Sequence, residues 1–395
     1  MPDAVVLGAG LAGLACTRHL SAAGVDVVLH EAADTVGGRV RTDVVDTLLL
    51  DRGFQDHNTG YPEAQRVLDH EALDLQPFAA GALVRYGDRL HRVGDPRRVP
   101  TWALSTTLAP IGSLQDKLLV AVSAVRAGLG SADRLIEAPE TTTYDALRAR
   151  GFSDAVIDRF LRPFLSGVFL EDQLTTSSRF FDLVWRSLVR GTQCVPSAGM
   201  GAMPQQLAAG LPAGVLQLSS PVQELPTARA VVVATDPFSA GRLLPELDVP
   251  DMNGVVTHYH LAPEPPVAEA AIVLDGERSG PVANTVVMTN AARSYATGRV
   301  LVSSSVVSGD ADEPVVRAHL ARLYGVDTRG WEHVARYDVT AGLPSQVPPM
   351  GRFRKSVRVR DGVFVCGDHR DSGSIQGALV SGRRAATAVL QELRA

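Results

Sequence analysis

The start of the chain combines two short apolar runs with one stretch of helical periodicity. Residues 4–7 are continuously apolar and rich in valine, which predicts a strand buried on both faces. Residues 11–23 carry small and apolar side chains at helical spacing and stop at Gly24, a residue typical of helix ends. Residues 25–30 predict a second strand. The pattern therefore predicts a strand, a helix and a parallel strand in succession.

The turn between the first strand and the helix carries three glycines at a spacing that suits phosphate binding. Gly8, Gly10 and Gly13 follow the GxGxxG pattern, in which the glycines allow a tight turn, close approach of a pyrophosphate and close helix packing. The helix N-terminus beside them favours negative charge. Glu31 ends the second strand, where a carboxylate accepts hydrogen bonds from ribose hydroxyls and repels a 2′-phosphate. We therefore expect a dinucleotide with an unphosphorylated adenosine ribose.

The segment that follows Glu31 indicates which dinucleotide the chain binds. Residues 32–42 read AADTVGGRVRT. They resemble the second fingerprint of the flavin amine oxidase and phytoene desaturase superfamily, in which the arginine after a double glycine meets the FAD pyrophosphate. Gly37, Gly38 and Arg39 match that fingerprint. The resemblance implies that the cofactor is FAD and that the protein is an oxidoreductase.

Residues 47–63 predict an apolar strand that ends in a polar turn. This segment resembles the D-x-G turn of the same superfamily, which comes close to the flavin ring. Asp51, Gly53 and Phe54 match that turn. The residues after it are more polar than the family pattern, and a solvated loop with His57 exposed is the alternative interpretation.

Residues 363–390 predict a buried strand followed by a helix with small residues along one face. The segment resembles the closing FAD motif of the superfamily, in which an aspartate binds a ribityl hydroxyl or the pyrophosphate. Gly367 and Asp368 occupy that position, and the helix begins near Ser374. A helix N-terminus there stabilises the negative charge of reduced flavin. We expect Asp368 to bind the cofactor; an ordinary turn with a surface aspartate is the alternative.

Two weaker motifs lie in the middle of the chain. Residues 196–208, PSAGMGAMPQQLA, resemble the P-x-G-G-M turn and helix of desaturases and protoporphyrinogen oxidases, with Ala198 in place of the first glycine. Residue 222 lies in a short extended piece, where the family brings a valine backbone to adenine. The cofactor-binding residues implied by all these motifs are Gly8, Gly10, Leu11, Ala12, Gly13, Glu31, Ala32, Gly37, Gly38, Arg39, Asp51, Gly53, Phe54, Val222, Gly367, Asp368, Ser374, Ile375, Gln376 and Gly377.

The rest of the pattern predicts a second domain. Alternation around Gly87 and Asp88 indicates a β-hairpin over residues 83–93. Helical spacing dominates residues 102–165, where we expect the last helix to break at Pro163. Strands are predicted over 255–262, 271–274, 284–289, 299–307 and 331–339, with a helix over 314–324. Together with the resemblance, this predicts an α/β fold: a doubly wound, Rossmann-like FAD-binding domain interrupted by an α+β substrate domain with a helical insertion.

The predicted division of the chain follows from where the motifs fall. We assign residues 1–80, 195–240 and 340–395 to the FAD-binding domain, and residues 81–194 and 241–339 to the substrate-binding domain. A length of 395 residues agrees with two domains.

Composition and charge exclude several classes of partner. The net charge is −5, so we expect no nucleic acid. Cys16, Cys194 and Cys366 are isolated, which predicts neither a disulfide framework nor a metal site. No run of about 18 apolar residues occurs, so we expect no integral membrane segment. The first strand begins close to Met1 and leaves no room for a targeting peptide. We therefore expect a cytoplasmic protein, without excluding loose membrane association.

The sequence offers only weak candidates for catalysis beyond the flavin. Many amine oxidases of the superfamily carry a lysine near flavin N5, whereas this chain has Thr257 and His258 at about that place. His258 shares a strand face with His260, an arrangement that is usually structural. Gln55 and His57 are further candidates beside the expected flavin turn. The cysteine that anchors flavin in some amine oxidases has no counterpart, so we expect non-covalent FAD.

Three classes of function remain open at this point. The first is a dehydrogenase or desaturase acting on an apolar substrate, which suits the apolar helical insertion. The second is an amine oxidase that produces hydrogen peroxide; the missing lysine and an aromatic content of 5% count against it. The third keeps FAD for a redox-neutral reaction or for structure. The electron acceptor is open, with oxygen and quinone both possible.

Overall fold

A computed structural model describes residues 1–394 of the chain. A six-stranded sheet joins the first and last parts of the sequence. Its first five strands are parallel and its last is antiparallel. In order across the sheet, the strands are Leu216–Gln217, Val27–His30, Ala4–Leu7, Ala230–Val233, Val363–Val365 and Arg358–Arg360. Leu7 is in register with His30 and Val233, so the carboxyl ends of the central strands share one edge.

The first and last helices pack against each other on one face of this sheet. They are Leu11–Ala22 and Ile375–Arg394. A Cβ atom on Gly382 would lie 2.2 Å from the carbonyl oxygen of Ala12. The two helix backbones therefore approach each other more closely than any residue other than glycine would allow at this position. Small residues on both helices therefore bring the two ends of the chain together beside the glycine turn.

A seven-stranded sheet forms the second layer of the molecule. In spatial order, its strands are Glu332–Pro344, Met252–Ala262, Val300–Val307, Val282–Val287, Ile272–Asp275, Gly81–Tyr86 and Arg89–Gly94. The hairpin around Gly87 and the remaining strands agree with the sequence-based predictions, although Glu332–Pro344 extends further than expected. The helix Glu313–Tyr324 covers one face of the sheet and buries Val316, Leu320 and Leu323.

Residues 103–190 are mostly helical. Their bounds are Ala103–Leu108, Leu114–Leu129, Ala132–Ile136, Thr143–Ala149, Asp154–Val156, Arg162–Phe169 and Ser178–Arg190. The expected break at Pro163 does not occur. A π-helical turn over Ile157–Leu161 precedes Pro163, which lies in the first turn of the following helix, where its missing N–H is tolerated.

The remaining elements are short. Small sheets pair Thr42–Val45 with Leu48–Asp51, and Gln193–Pro196 with both His57–Asn58 and Leu75–Pro77. Further helical segments are Pro62–Val67, Pro100–Trp102, Ala202–Ala209, Pro237–Leu243, Met288–Ala291, Arg293–Tyr295 and Asp368–Arg370. The strands Thr42–Val45 and Leu216–Gln217 were not predicted from the sequence, because neither has a clear alternating pattern.

The mixed α/β architecture is confirmed. The strands of the six-stranded sheet come from the ranges assigned above to the cofactor domain, and most strands of the larger sheet come from the other two ranges. We keep the division into two domains as a proposal. Among residues 1–394, no helix is both long enough and apolar enough to cross a membrane.

Candidate active site

One large cavity connects the edge of the six-stranded sheet with the helical segment. Its volume is about 1720 Å³. Backbone and side chains near Gly8, Glu31, Arg39 and Val222 line one end. Helix Leu114–Leu129 and its neighbours line the other end. The cavity is therefore large enough to place a long cofactor and an organic substrate in continuous contact.

The backbone geometry at the three glycines of the first turn is compatible with the roles that their spacing predicts. Gly8 has a φ of +102°, a conformation that favours glycine. A Cβ atom on Gly13 would lie 1.9 Å from the carbonyl oxygen of Gly8, so only glycine lets the helix pack onto the turn. Gly10 has open space where a Cβ would point, and no side chain caps the helix that starts at Leu11. The uncapped amides face the cavity, as phosphate binding requires.

Glu31 lies at the end of the second strand and lines the cavity. Its carboxylate accepts hydrogen bonds from the amide of Ala9 at 2.6 Å and the amide of Ala33 at 2.9 Å. These two bonds fix the carboxylate beside the glycine turn. They leave further lone pairs on the oxygens for hydroxyl donors.

Arg39 and Asp368 join the two ends of the chain inside the cavity wall. The guanidinium donates two parallel hydrogen bonds to the Asp368 carboxylate, at 2.8 Å and 2.5 Å, and a third to the carbonyl of Gly342 at 3.0 Å. Burial alone lowers the pKa of Arg39, but the charge of Asp368 outweighs it and raises that pKa. About a third of the Arg39 side chain faces the cavity, so the cation can meet a ligand there.

Most of the residues implied by the family motifs line this one cavity. They are Gly8, Gly10, Leu11, Ala12, Glu31, Ala32, Gly37, Gly38, Arg39, Gly53, Phe54, Val222, Gly367, Asp368, Ser374 and Ile375. The catalytic candidate Gln55 also lines it, with its amide bonded to the carbonyls of Arg39 and Arg52.

Asp51 does not line the cavity, which corrects its assignment as a cofactor contact. It is 1% exposed and accepts hydrogen bonds from the hydroxyls of Thr42 and Tyr295 and from the amide of Met200. Burial raises the pKa of Asp51 to about 6, and these donors offset only part of the rise. Asp51 therefore stabilises the turn through its buried hydrogen bonds, whereas Gly53 and its neighbours line the cavity.

Three other implied residues support the site from behind. Gly13 packs against Gly8, as described above. A Cβ atom on Gly377 would lie 1.8 Å from the carbonyl oxygen of Ser372, so this glycine lets the last helix begin close to the preceding loop. The Gln376 side chain accepts a hydrogen bond from the amide of Glu63, away from the cavity. These positions belong to the framework and do not line the cavity.

The two histidine candidates are also corrected. His57 is fully buried beside His70, with the two ring nitrogens 3.1 Å apart, and is not exposed as the loop alternative required. His258 lies 3.2 Å from the ring nitrogen of His333 on the sheet face opposite Thr257. The period of the strand turns Thr257 towards Gly53 and turns His258 away from the cavity. Neither histidine is a candidate for catalysis.

The far end of the cavity is an apolar chamber. The helical segment lines it mainly with Val120, Ala121, Ala124, Phe160, Phe164, Val168, Phe180, Val184, Trp185 and Leu188. Two polar atoms in this wall, the indole nitrogen of Trp185 and the amide oxygen of Asn284, are buried without a hydrogen-bond partner among the described residues. An apolar wall with a few polar groups is typical of a site for an organic ligand.

Asp56 is the site residue that sequence analysis missed. Its side chain is exposed to the cavity and lies deep within the molecule, close to Tyr61 and Cys194. Burial raises the pKa of Asp56 to about 6, and a hydrogen bond with its own backbone lowers it only in part. Burial, and then the charge of Asp56, raise the pKa of Cys194 to about 12. Asp56 thus places a carboxyl whose pKa is raised to about 6 in the cavity wall.

A family model described as flavin containing amine oxidoreductase matches residues 11–390. The chain belongs to this family. It is therefore a flavin-dependent oxidoreductase. The motifs between residues 32 and 390 that carried the resemblance lie within the matched range, and the recognition of the superfamily is confirmed.

Curated relatives within the amine oxidoreductase family cover different shares of the chain. Hydroxysqualene dehydroxylase of Rhodopseudomonas palustris is 27% identical, across 99% of this chain and 99% of that protein. Protoporphyrinogen oxidase 2 of Arabidopsis thaliana is 28% identical across 45% of this chain, and the match spans 35% of the plant enzyme. Putrescine oxidase of Kocuria rosea is 42% identical over 72 residues, which is 15% of that enzyme.

Solved structures of the family have the same fold at low identity. A putative protoporphyrinogen oxidase from Exiguobacterium sp. 255-15 aligns with a TM-score of 0.75 and 17% identity, over 98% of both chains. Cyclohexylamine oxidase from Brevibacterium oxydans aligns with a TM-score of 0.73 and 15% identity, over 100% of both chains. These similarities establish the fold of the amine oxidoreductases for this chain and leave its substrate open.

The residues present fit the flavin that this family contains. The uncapped helix N-terminus and the open space beside Gly10 suit phosphate groups. The fixed carboxylate of Glu31 suits a ribose, and the cavity-facing guanidinium of Arg39 suits a second negative charge. Among residues 1–394, no group of three or more His, Cys, Asp or Glu side chains is arranged to hold a metal ion.

Proposed function

We propose that this protein binds FAD non-covalently and removes a hydride equivalent from an apolar organic substrate, in a dehydrogenase or desaturase type of reaction. The observation that carries the proposal is the continuity of one cavity, which has a glycine-lined cradle at one end and an apolar chamber at the other. A substrate in that chamber gains binding energy mainly from apolar burial.

The chain's own residues supply binding and orientation. The N-terminus of helix Leu11–Ala22 and the Arg39 guanidinium hold the phosphates, and Glu31 accepts hydrogen bonds from the ribose. When bound, FAD supplies the hydride acceptor. None of the three cysteines of the chain lines the cavity, which supports dissociable binding.

The chamber wall orients the substrate and excludes water. Aromatic side chains of Phe160, Phe164 and Trp185 supply apolar contact area. The indole N–H of Trp185 and the amide oxygen of Asn284 lie buried behind this wall and have no hydrogen-bond partner among the described residues.

Oxidation of an amine is the second candidate, and Asp56 is the observation that favours it. A carboxylate in the cavity wall attracts an ammonium group, and putrescine oxidase is among the relatives of this chain. The apolar lining of the remaining chamber favours the first proposal. We place either reaction in the cytoplasm, in line with three free cysteines, with oxygen or a quinone as the final electron acceptor.

Anaerobic mixing of the FAD-loaded protein with candidate substrates tests these functions. We expect polyenes and other apolar hydride donors to bleach the flavin absorbance in a stopped-flow spectrophotometer, and amines to leave it unchanged. Bleaching by amines, with hydrogen peroxide formed on readmission of oxygen, supports the second candidate. Retention of the colour with every donor favours a redox-neutral or structural role for FAD.

A further inference from the structure

The removal of two hydrogens from neighbouring carbons needs a base as well as a hydride acceptor. One C–H bond gives up its hydrogen together with the two bonding electrons, and both go to the hydride acceptor. The neighbouring C–H bond loses its hydrogen as a proton, and the electron pair left behind forms the new double bond. In a cavity from which the substrate displaces water, a protein group has to accept that proton.

Most carboxylates of the cavity wall are already engaged by other groups of the protein. These are Glu31, Asp95, Asp236 and Asp368. Backbone amides donate hydrogen bonds to Glu31 and to Asp236. Arginine side chains form ion pairs with Asp95 and with Asp368. A proton on any of these four carboxylates would weaken its bond to the donor or the cation that it holds.

The nitrogen bases of the wall are engaged as well. His30 lies at the ribose end of the cavity, next to Glu31, with its Nδ1 atom 2.9 Å from the hydroxyl of Ser220. The ammonium of Lys117 donates hydrogen bonds to the carbonyls of Thr107 and Ala109, and a protonated amine cannot accept a further proton.

Asp56 is the cavity-lining carboxyl without such a partner. Among residues 1–394, no other residue donates a hydrogen bond to it and no cation pairs with it, so its one hydrogen bond is with its own backbone. Its charge acts on Tyr61 and Cys194, and both are uncharged because burial and this carboxylate raise their pKa values. Burial raises the pKa of Asp56 itself to about 6, a value that suits a group that must take up and release a proton.

The position of Asp56 lies between the two ends of the cavity. On one side of it in the chain, the side-chain amide of Gln55 donates a hydrogen bond to the carbonyl of Arg39 at 2.9 Å, in the glycine-lined cradle. On the other side, the side-chain amide of Asn58 donates to the carbonyl of Ser187 at 3.0 Å, in the wall of the apolar chamber. Asp56 therefore lies where a cofactor in the cradle would meet a substrate in the chamber.

We propose that Asp56 is a catalytic residue whose carboxylate accepts the proton when the substrate is dehydrogenated. The new O–H bond on Asp56 replaces the broken C–H bond, and the proton passes to water once the product has left. This role rests on the proposed function, because a proton acceptor beside the chamber has a use only if a C–H bond is broken there.

Anaerobic single-turnover reduction by an apolar donor that bleaches the parent tests this role. The variant Asp56→Asn should lower the limiting rate of flavin reduction about 100-fold or more, without lowering FAD content or weakening donor binding. In the parent this rate should rise with pH around a midpoint of about 6, because only the ionised carboxylate accepts a proton, and in the variant it should not. Asp95→Asn is the matched control, since it changes a cavity-lining carboxylate that is paired with Arg97 and should react like the parent.

Two further measurements separate a proton acceptor from a merely structural side chain. Infrared titration of the FAD-loaded protein without substrate should show a protonated carboxyl band that is lost around pH 6 and is missing in Asp56→Asn. The conservative variant Asp56→Glu keeps a carboxylate and should retain a pH-dependent rate of flavin reduction.

The role of Asp56 and the proposed function can fail separately. Equal limiting rates in the parent and Asp56→Asn, or a parent rate that does not change with pH, overturn the role and leave hydride removal intact. Weaker donor binding with an unchanged limiting rate also overturns it, because Asp56 then binds a cationic substrate. If no apolar donor bleaches the parent, the proposed function fails, and the role of Asp56 fails with it.

Discussion

Arg39 carries two roles, since it pairs with Asp368 and also faces the cavity. The change Arg39→Ala should lower FAD occupancy, because it removes a cation that we assign to the phosphates. It should also destabilise the fold by about 3–5 kcal/mol, because Asp368 is left buried and unpaired. FAD content after gel filtration and urea unfolding of the apoprotein measure the two effects.

Two further variants separate these effects of Arg39. Asp368→Asn combined with Arg39→Ala removes the unpaired charge, so stability should recover while FAD occupancy stays low. Arg41→Ala is the matched control, since Arg41 does not line the cavity and lies 3.7 Å from Asp34. An Arg39→Ala protein as yellow as the parent would contradict the assigned phosphate contact.

Asp56 should give substrate binding a pH dependence whose sign reports the substrate class. The pKa of Asp56 is raised by burial to about 6, above its ordinary value of 3.8. The cavity therefore gains a negative charge as the pH rises through 6. An apolar substrate should then bind more weakly, whereas an ammonium substrate should bind more tightly, by up to roughly tenfold.

The dissociation constant of the substrate, measured on both sides of pH 6, checks this prediction. In Asp56→Asn the pH dependence should disappear for either class, because the amide does not titrate. An unchanged pH profile in Asp56→Asn would show that another group titrates.

Asp116 anchors helix Leu114–Leu129, which lines the chamber. Its carboxylate accepts hydrogen bonds from the amides and hydroxyls of both Ser113 and Ser153, between 2.7 and 2.8 Å. Burial raises the pKa of Asp116, but these donors outweigh it and the pKa is lowered from 3.8. The stabilisation is therefore complete above pH 3.8 and is lost as the pH falls below that value.

Asp116→Asn should loosen this helix by about 1–3 kcal/mol, because some donors lose their acceptor. Hydrogen exchange should increase over residues 114–129 and leave the six-stranded sheet unaffected. Asp133→Asn is the matched control, as Asp133 is an exposed aspartate in the first turn of the next helix. Equal exchange in both variants would mean that the network does not anchor the helix.

Sequence patterns predicted the glycine turn correctly, but they predicted neither the position of Asp56 nor the effect of Pro163. Gly8, Gly10 and Gly13 were interpretable because their roles depend on local backbone geometry. Asp56 was not, because the direction of one side chain in an irregular turn depends on packing from Gln193–Pro196 and its neighbours. The predicted helix break at Pro163 was wrong for a related reason. A π-helical turn precedes this proline and places it in the first turn of the next helix, where it does not break the helix.

On the scale of the whole molecule, the two ends of the chain meet at the cavity through Arg39 and Asp368. Their side chains are 329 positions apart in sequence. Motifs at both ends predicted this convergence, because each implied a contact with the same cofactor. The apolar chamber was predicted only as a helical insertion, since helical periodicity does not specify which apolar face will meet a cavity and which will meet solvent.

Because FAD contacts both ends of the chain in this proposal, its binding should stabilise the whole cofactor region. At a free FAD concentration one hundredfold above its dissociation constant, the free energy of unfolding should rise by about 2.7 kcal/mol. Hydrogen exchange should slow around Gly8 and around Ser374 together. ADP alone is the control, since it lacks the flavin and should slow exchange around Gly8 only. Protection by FAD confined to the first sixty or so residues would contradict the convergence, because a ligand bound at one end has no reason to protect the other.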